Sequence, residues 1–441
     1  MEFVVGGFLA AVTIVVAVVG NSVHNRRKTL GEVIRRVGEG LGLKYRQGFS
    51  LAMPVASGNI DGLKVTVRRF SDPQNRSGVS TLLRIYIANS INAGGILKMT
   101  LESDALFSTV EKLLKGDDIQ IGDGAFDGRM LIKGTSPHHV AALMNERVRA
   151  LLLGIAGRTH GLNLTSNWFE VVLDYEGKTK DDIVSIGHDA LEVSLDLARG
   201  DDVRSRLMEI IRSDSVPGVR AACIRHLASH FPVNGDMTAL LKRALKDDSR
   251  FVRIEAALNL GYEGLEFLAQ LLNKESDLEE YDMLRIIRHF GEHRFAGGIP
   301  VLKEVFVRAN NETVLLEILK AFIAMGDTGL NGFLLERLGG SSGDIRYWLI
   351  SALASCGTAE AVEPLMKLAK SSLNPLLRSD VQRAIAGIQS RLGGADAGWL
   401  SVSAVEGTDG ALSISNTAEE GALSVDDAGL RVSNKRMNKD R

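Results

Sequence analysis

Apolar residues recur at every second position in LKVTVRRF (63–70), TLLRIYIA (81–88), ILKMTLES (96–103) and FDGRMLIKG (126–134). That alternation predicts half-buried antiparallel strands. Ser136 and Pro137 fit an N-cap and a first-turn proline, after which the period lengthens and HVAALMNERVRALLLGIAG predicts one helix running to Gly157. Two further strand patterns, LNLTS and WFEVVLDYEG, precede a helix expected to begin near Thr179, with Asp181 and Asp182 in its first turn where the dipole favours acids. Residues 48–200 therefore read as an α+β domain, mostly antiparallel.

From 201 to 392 the pattern is helical and repeats. Val219, Val252, Asp282, Val314, Ile345 and Leu377 each open the second helix of a pair, at spacings of 33, 30, 32, 31 and 32 residues. Positions +4, +5 and +8 from these anchors are apolar in five units, as in Cys223, Ile224 and Leu227 or Ile318, Leu319 and Phe322; the sixth breaks at Gln382. One helix face is thus expected to be buried throughout. An arginine follows the anchor in four units (Arg220, Arg253, Arg346, Arg378), with Asp247, Asp248, Asp344 and Asp380 close by. The stretches VRAACIRHL and VRIEAALNLG resemble HEAT repeats, including the HEAT-like repeats of phycobilin lyases. The resemblance implies a curved solenoid of about six helix pairs that binds proteins, with the four arginines as structural contacts between repeats.

At the N-terminus, FVVGGFLAAVTIVVAVVG (3–20) is eighteen residues without a charge. As a helix it is about 27 Å long, enough to cross a bilayer. Seven basic residues follow it, Arg26, Arg27, Lys28, Arg35, Arg36, Lys44 and Arg46. They predict a transmembrane helix over 3–20, a basic juxtamembrane segment over 21–47 and C-terminal domains on the cytoplasmic side.

The aspartates of GDDIQIGDGAFDGRMLIKG (116–134) do not fit a calcium loop, which needs alternating acids and a closing glutamate. A Gly/Asp turn between strands fits better. Gly122, Asp123, Phe126 and Asp127 resemble a domain of uncharacterised bacterial proteins that carry it behind a single membrane helix. That resemblance implies an anchored module and brings no chemistry with it.

RHLASH (225–230) and RHFGEH (288–293) each set two histidines four residues apart, the spacing of zinc-binding helices. His226 and His289 both fall at +7, but in the first and third repeats, which puts them on the order of 20 Å apart. One ion cannot take both pairs. Ala321, Ala352 and Ala384 hold +7 in later units, which marks it as the edge of the buried face, so the histidines read as structural. No histidine precedes a glutamate, so the His-Glu ligands of a di-iron hydroxylase built on HEAT-like repeats are not matched. Neither a metal nor a cofactor is expected.

A formal net charge of -2 without a clustered basic field in the folded regions argues against nucleic acid. Cys223 and Cys356 sit in apolar helical patterns and read as core thiols. Residues 393–430 hold seven acids and no Lys or Arg, so 393–441 is expected to be a disordered tail. Its refrain GWLSV, GALSI, GALSV offers Leu400, Val402, Leu412, Ile414, Leu423 and Val425 as candidate partner-binding residues. The fold class expected is multidomain: transmembrane helix, antiparallel α+β domain, all-α HEAT-like solenoid, disordered tail. The function expected is a non-catalytic, membrane-anchored cytoplasmic adaptor that touches protein partners and, through 3–20, the bilayer. The alternative is a HEAT-like lyase or other modification enzyme, which needs a pocket with convergent polar groups.

Overall fold

The structure, a computed structural model, describes residues 29–48, 53–70, 82–101, 118–274, 278–341 and 343–392. Contacts divide the chain into two units, Met1–Gly261 and Tyr262–Arg441.

The first unit is built on an eight-stranded sheet. Its strands are β1 (Lys44–Arg46), β2 (Val55–Ile60), β3 (Leu63–Arg69), β4 (Leu82–Ala88), β5 (Leu97–Leu101), β6 (Met130–Gly134), β7 (Gly161–Thr165) and β8 (Trp168–Asp174). They are ordered β1-β2-β3-β4-β8-β7-β5-β6, and every pairing is antiparallel. The alternation in the sequence is realised in β3, which buries Leu63, Val65 and Val67, and in β4, which buries Leu83, Ile85 and Ile87. Strands β5, β7 and β8 are buried along almost their whole length, so both of their faces are covered. β2 and β3 meet in a two-residue turn, Asp61–Gly62, with φ of 49° and 88°. Such a primed turn follows the twist of the strands and selects Asp-Gly.

Residues 29–40 form a helix, α1, whose Leu30, Ile34 and Val37 recur at helical spacing and enter the core. Arg35 and Arg36 bond Glu32 at 2.7 and 2.6 Å, and Arg35 also bonds Glu39 at 2.7 Å. Of the basic segment, Arg35 and Arg36 thus lie on a helix of the sheet domain with their charges paired, and Lys44 and Arg46 lie on β1.

Four more helices complete this layer: α2 (Gly124–Asp127), α3 (Pro137–Leu143), α4 (Glu146–Ala156) and α5 (Lys180–Ala198). Two expectations change here. Phe126 and Asp127 belong to α2 and not to the following strand, because the Asp123 side chain accepts bonds from the Ala125 and Phe126 amides and turns the chain into a helix. The single helix expected to reach Gly157 is broken at Met144, whose φ and ψ are -93° and 56°. There the Asn145 side chain accepts from the Val148 amide at 2.9 Å and starts a new helix. Thr179 and Asp182 close α5 with a reciprocal capping box.

Helices α6 (Val203–Ser213), α7 (Pro217–His230), α8 (Gly235–Ala244) and α9 (Arg250–Leu258) belong to the same unit. One hydrophobic cluster runs from Leu30 through the sheet to Ala256. No seam falls at residue 200.

The second unit comprises α10 (Tyr262–Lys274), α11 (Glu280–Glu292), α12 (Ile299–Arg308), α13 (Glu312–Met325), α14 (Asn331–Leu338), α15 (Gly343–Cys356), α16 (Val362–Ser371) and α17 (Pro375–Leu392). The second helices of the pairs lie side by side, α11 on α13, α13 on α15 and α15 on α17. Ile286, Ile287 and Phe290, then Ile318, Leu319 and Phe322, then Leu349, Ile350 and Leu353 are buried at the +4, +5 and +8 positions. In α17 Gln382 is exposed, and burial passes to Val381, Ala384 and Ile388, a stripe turned by part of a helical step.

The expected fold class is corrected in one respect. Among the described residues no helix is long and apolar enough to cross a membrane, so the transmembrane assignment is not kept. Helix α5, one of the longer helices, carries Asp181, Asp182, Asp189 and Glu192 along its 19 residues. The run Phe3–Gly20 and the tail from 393 lie outside the described residues.

Candidate functional site

Three places in the structure gather polar side chains. The first is a buried ionic centre in the first unit. Arg149 on α4 donates to both oxygens of Asp214 at 2.8 and 3.0 Å, to Asp123 at 2.8 Å and to the Met144 carbonyl at 2.8 Å. The Arg149 and Asp214 side chains are 3% and 1% exposed, so this is a desolvated, bidentate pair. The Gly-Asp turn noted in the sequence is part of this centre. Asp123 caps α2 and accepts from Arg149, while Asp127 accepts from the Ile121 and Gly122 amides at 2.9 and 2.8 Å. Gly122, at φ 94°, lies so close to α7 that a Cβ built on Gly218 would stand 2.1 Å from the Gly122 oxygen. These aspartates are spent on the fold and none is left facing an ion. A neighbouring cleft of about 270 Å³ is lined by Asn145, Asp196 and Arg206 among others, and they too bond one another. That cleft is a polar joint, not an apolar ligand pocket.

The second place is a cluster of four histidines, of which the sequence spacing brought out only His226 and His230. His138 and His139 open α3, and His138 stacks on His230 of α7 with ring centroids 3.9 Å apart. His139 lies 4.5 Å from His138 and its Nδ1 is 2.8 Å from the Ser136 hydroxyl, which therefore makes no helix cap. His226 stands 6.2 Å from His230. Burial, and then the neighbouring His230, Arg225 and His138, push His226 down to about 4. His138 is lowered by burial and by its two histidine neighbours. For His226 and His138 the shifts favour the neutral ring, and the His138 ring packs on His230 and His139.

The third place is the contact between successive second helices within each unit. Arg225, at +6 of α7, pairs with Glu255, at +3 of α9, at 3.0 Å. In the second unit Arg288, at +6 of α11, pairs with Glu317, at +3 of α13, also at 3.0 Å. Lys320, at +6 of α13, lies over Trp348, at +3 of α15, 5.6 Å from its centroid. The link from +6 to +3 thus recurs in both units. The arginines at +1 behave differently from one another. Arg220 reaches Asp247 on the next helix pair at 2.6 Å, while Arg253 bonds the Asp247 and Asp248 carbonyls at 3.0 and 3.1 Å. Arg346 bonds the Ser341 carbonyl, and Arg378 is exposed without an ion pair among the described residues. Cys223 and Cys356 are both buried, and burial pushes their thiols up to about 12 and about 11. Leu400, Val402, Leu412, Ile414, Leu423 and Val425 lie outside the described residues.

No family model matches the chain and no curated protein matches it. Among solved structures, the mycobacterial trehalose monomycolate transport factor A, TtfA, aligns at 15% identity over 38% of this chain and 94% of its own, with a TM-score of 0.27. A score that low does not establish a shared fold.

Proposed function

We propose that the protein is a non-catalytic binding module whose side-by-side second helices in Tyr262–Arg441 receive a protein partner. One observation carries this reading: the exposed side of α11, α13 and α15 collects Tyr281, Arg285, Arg288, Lys320, Tyr347 and Trp348. Tyr281 is 66% and Tyr347 41% exposed. Arg285 lies over the Tyr281 ring at 5.7 Å, as Lys320 does over Trp348. Tyrosine, tryptophan and arginine are the residues that dominate binding energy at protein interfaces, because each brings a large, stiff area with a polar end. The carboxylates of the Arg149 centre are consumed by their own contacts, which favours binding over catalysis there. The resemblance of the helix pairs to HEAT repeats supports the same reading by analogy of architecture. Membrane anchoring forms no part of it.

The test uses the purified full chain as bait, with partners fixed by cross-linking and quantified. Reversing charge at Arg288 and Lys320 together, with Trp348→Ala, should remove specific partners. Glu363→Lys, an equally exposed change on α16, should keep them, with thermal stability matched. Recovery of the same partners by all variants would overturn the proposal.

A further inference from the structure

The two histidine pairs share one local geometry and differ in the residues between them. In α7 the Nδ1 of His230 is 3.0 Å from the His226 carbonyl oxygen; at the end of α11 the Nδ1 of His293 is 3.0 Å from the His289 carbonyl oxygen. A carbonyl only accepts, so in each case Nδ1 carries a proton, which leaves Nε2 as the nitrogen that can present a lone pair to an ion. This is how a metal-binding histidine is held, with the distal nitrogen oriented by a bond from the other one. Between the histidines the first pair has Ser229 and the second has Glu292. His289, Glu292 and His293 each offer a ligand atom, and these atoms all lie within 4.8 Å of one another. The buried Nε2 of His289 has no hydrogen-bond partner. A buried nitrogen without a partner costs free energy unless something else occupies it.

We propose that His289, Glu292 and His293 form a mononuclear site for a divalent transition metal of the zinc class. Two imidazoles and one carboxylate from one helical turn supply three ligands, and water completes the coordination. No fourth His, Cys, Asp or Glu joins the group among the described residues. The site falls in the last turn of α11, where the negative pole of the helix favours a cation. Arg285, one turn back, acts on His289 with the opposite sign. Two pairs too far apart to share an ion, as the sequence implied, leave a site on one turn untouched. The first pair lacks the carboxylate, and the His138 ring covers it at 3.9 Å. It serves as an internal control.

The experiment is a titration of the chelator-stripped full chain with Co2+ and with Zn2+. Cobalt should give visible d–d bands and zinc a single tight site in calorimetry. His293→Ala, an exposed position, and His289→Ala should each abolish both signals. Glu292→Gln should weaken zinc at least ~10-fold, the loss that removing even a hydrogen-bonding partner of a ligand brings. His226→Ala and His230→Ala should change neither. Circular dichroism confirms the fold of each variant, and His293→Ala decides the matter if His289→Ala fails to fold. Equal metal uptake by wild type and His293→Ala, or loss of uptake in His226→Ala alone, would overturn the assignment.

Discussion

Arg225 and Glu255, thirty residues apart, meet at 3.0 Å because the first sits at +6 and the second at +3 of successive second helices. The glutamate side chain is 2% exposed and the arginine 45%. The pair Arg288 and Glu317 repeats the geometry nearer to solvent, at 56% and 13% exposure. A double-mutant cycle on Arg288→Ala and Glu317→Ala should give a coupling of about 0.2–1 kcal/mol, as for other exposed pairs. Urea unfolding in low and high salt measures it, and the coupling should shrink in high salt.

Gly218 lies in the first turn of α7, where alanine ordinarily favours a helix by up to ~1 kcal/mol. Here the sign should reverse. A Cβ at this position meets the Gly122 carbonyl oxygen at 2.1 Å, and the neighbour is backbone that cannot swing aside. Gly218→Ala should lower stability by more than ~1 kcal/mol, read from chemical denaturation. A neutral or stabilising result would mean that the Gly-Asp turn does not dock on α7 in solution.

Removing one partner from the Arg149–Asp214 pair should be among the most damaging single changes in the first unit. Asp214→Asn leaves a guanidinium buried with one carboxylate instead of two, and Arg149→Met leaves both acids uncompensated. Breaking such a buried pair costs about 3–5 kcal/mol. Thermal and urea unfolding should show Arg149→Met at or beyond the upper part of that range, since three of its bonds to acids disappear together.

His226 is held down to about 4, against an ordinary histidine value near 6.5, chiefly by burial. The unfolded chain therefore takes up a proton at this residue before the folded one does. The stability involved is fully present above about 6.5 and is lost as pH falls toward about 4. The groups that face the ring, His230, Arg225 and His138, add repulsion of the same sign. His226→Ala removes the titration and keeps the residue type found at +7 elsewhere. The stability of wild type minus that of His226→Ala should fall as pH drops through this window, and a pH-independent difference would refute the account.

What could be read from the sequence was whatever depends on a local period. The alternation of 63–70 and 81–88 became β3 and β4, and the acids after Thr179 became a capped helix start. Strand β2 was missed because its VASGNI offers no alternation and little strand propensity. Pairing with β1 on one side and β3 on the other holds it in place. The break at Met144 was missed because Asn145 reads equally well as a helical surface residue and as a cap. The +6 to +3 link was available in the register, since Arg225, Arg288 and Lys320 share one position and Glu255 and Glu317 the other. The meeting of His138 with His230 was not available, because no spacing in the chain relates two residues brought together by a long-range fold.

The hydrophobic cluster that runs from Leu30 to Ala256 also sets how the protein can be divided. Arrays of stacked helix pairs need an end piece that closes the open face of the outermost pair. In the first unit α6 and α7 share one core with the sheet, with the Arg149–Asp214 pair as its buried fastening. A fragment begun at residue 201 would carry the bare face of α6 and α7 into water and aggregate. Gly261 is where the chain can be cut without opening that core.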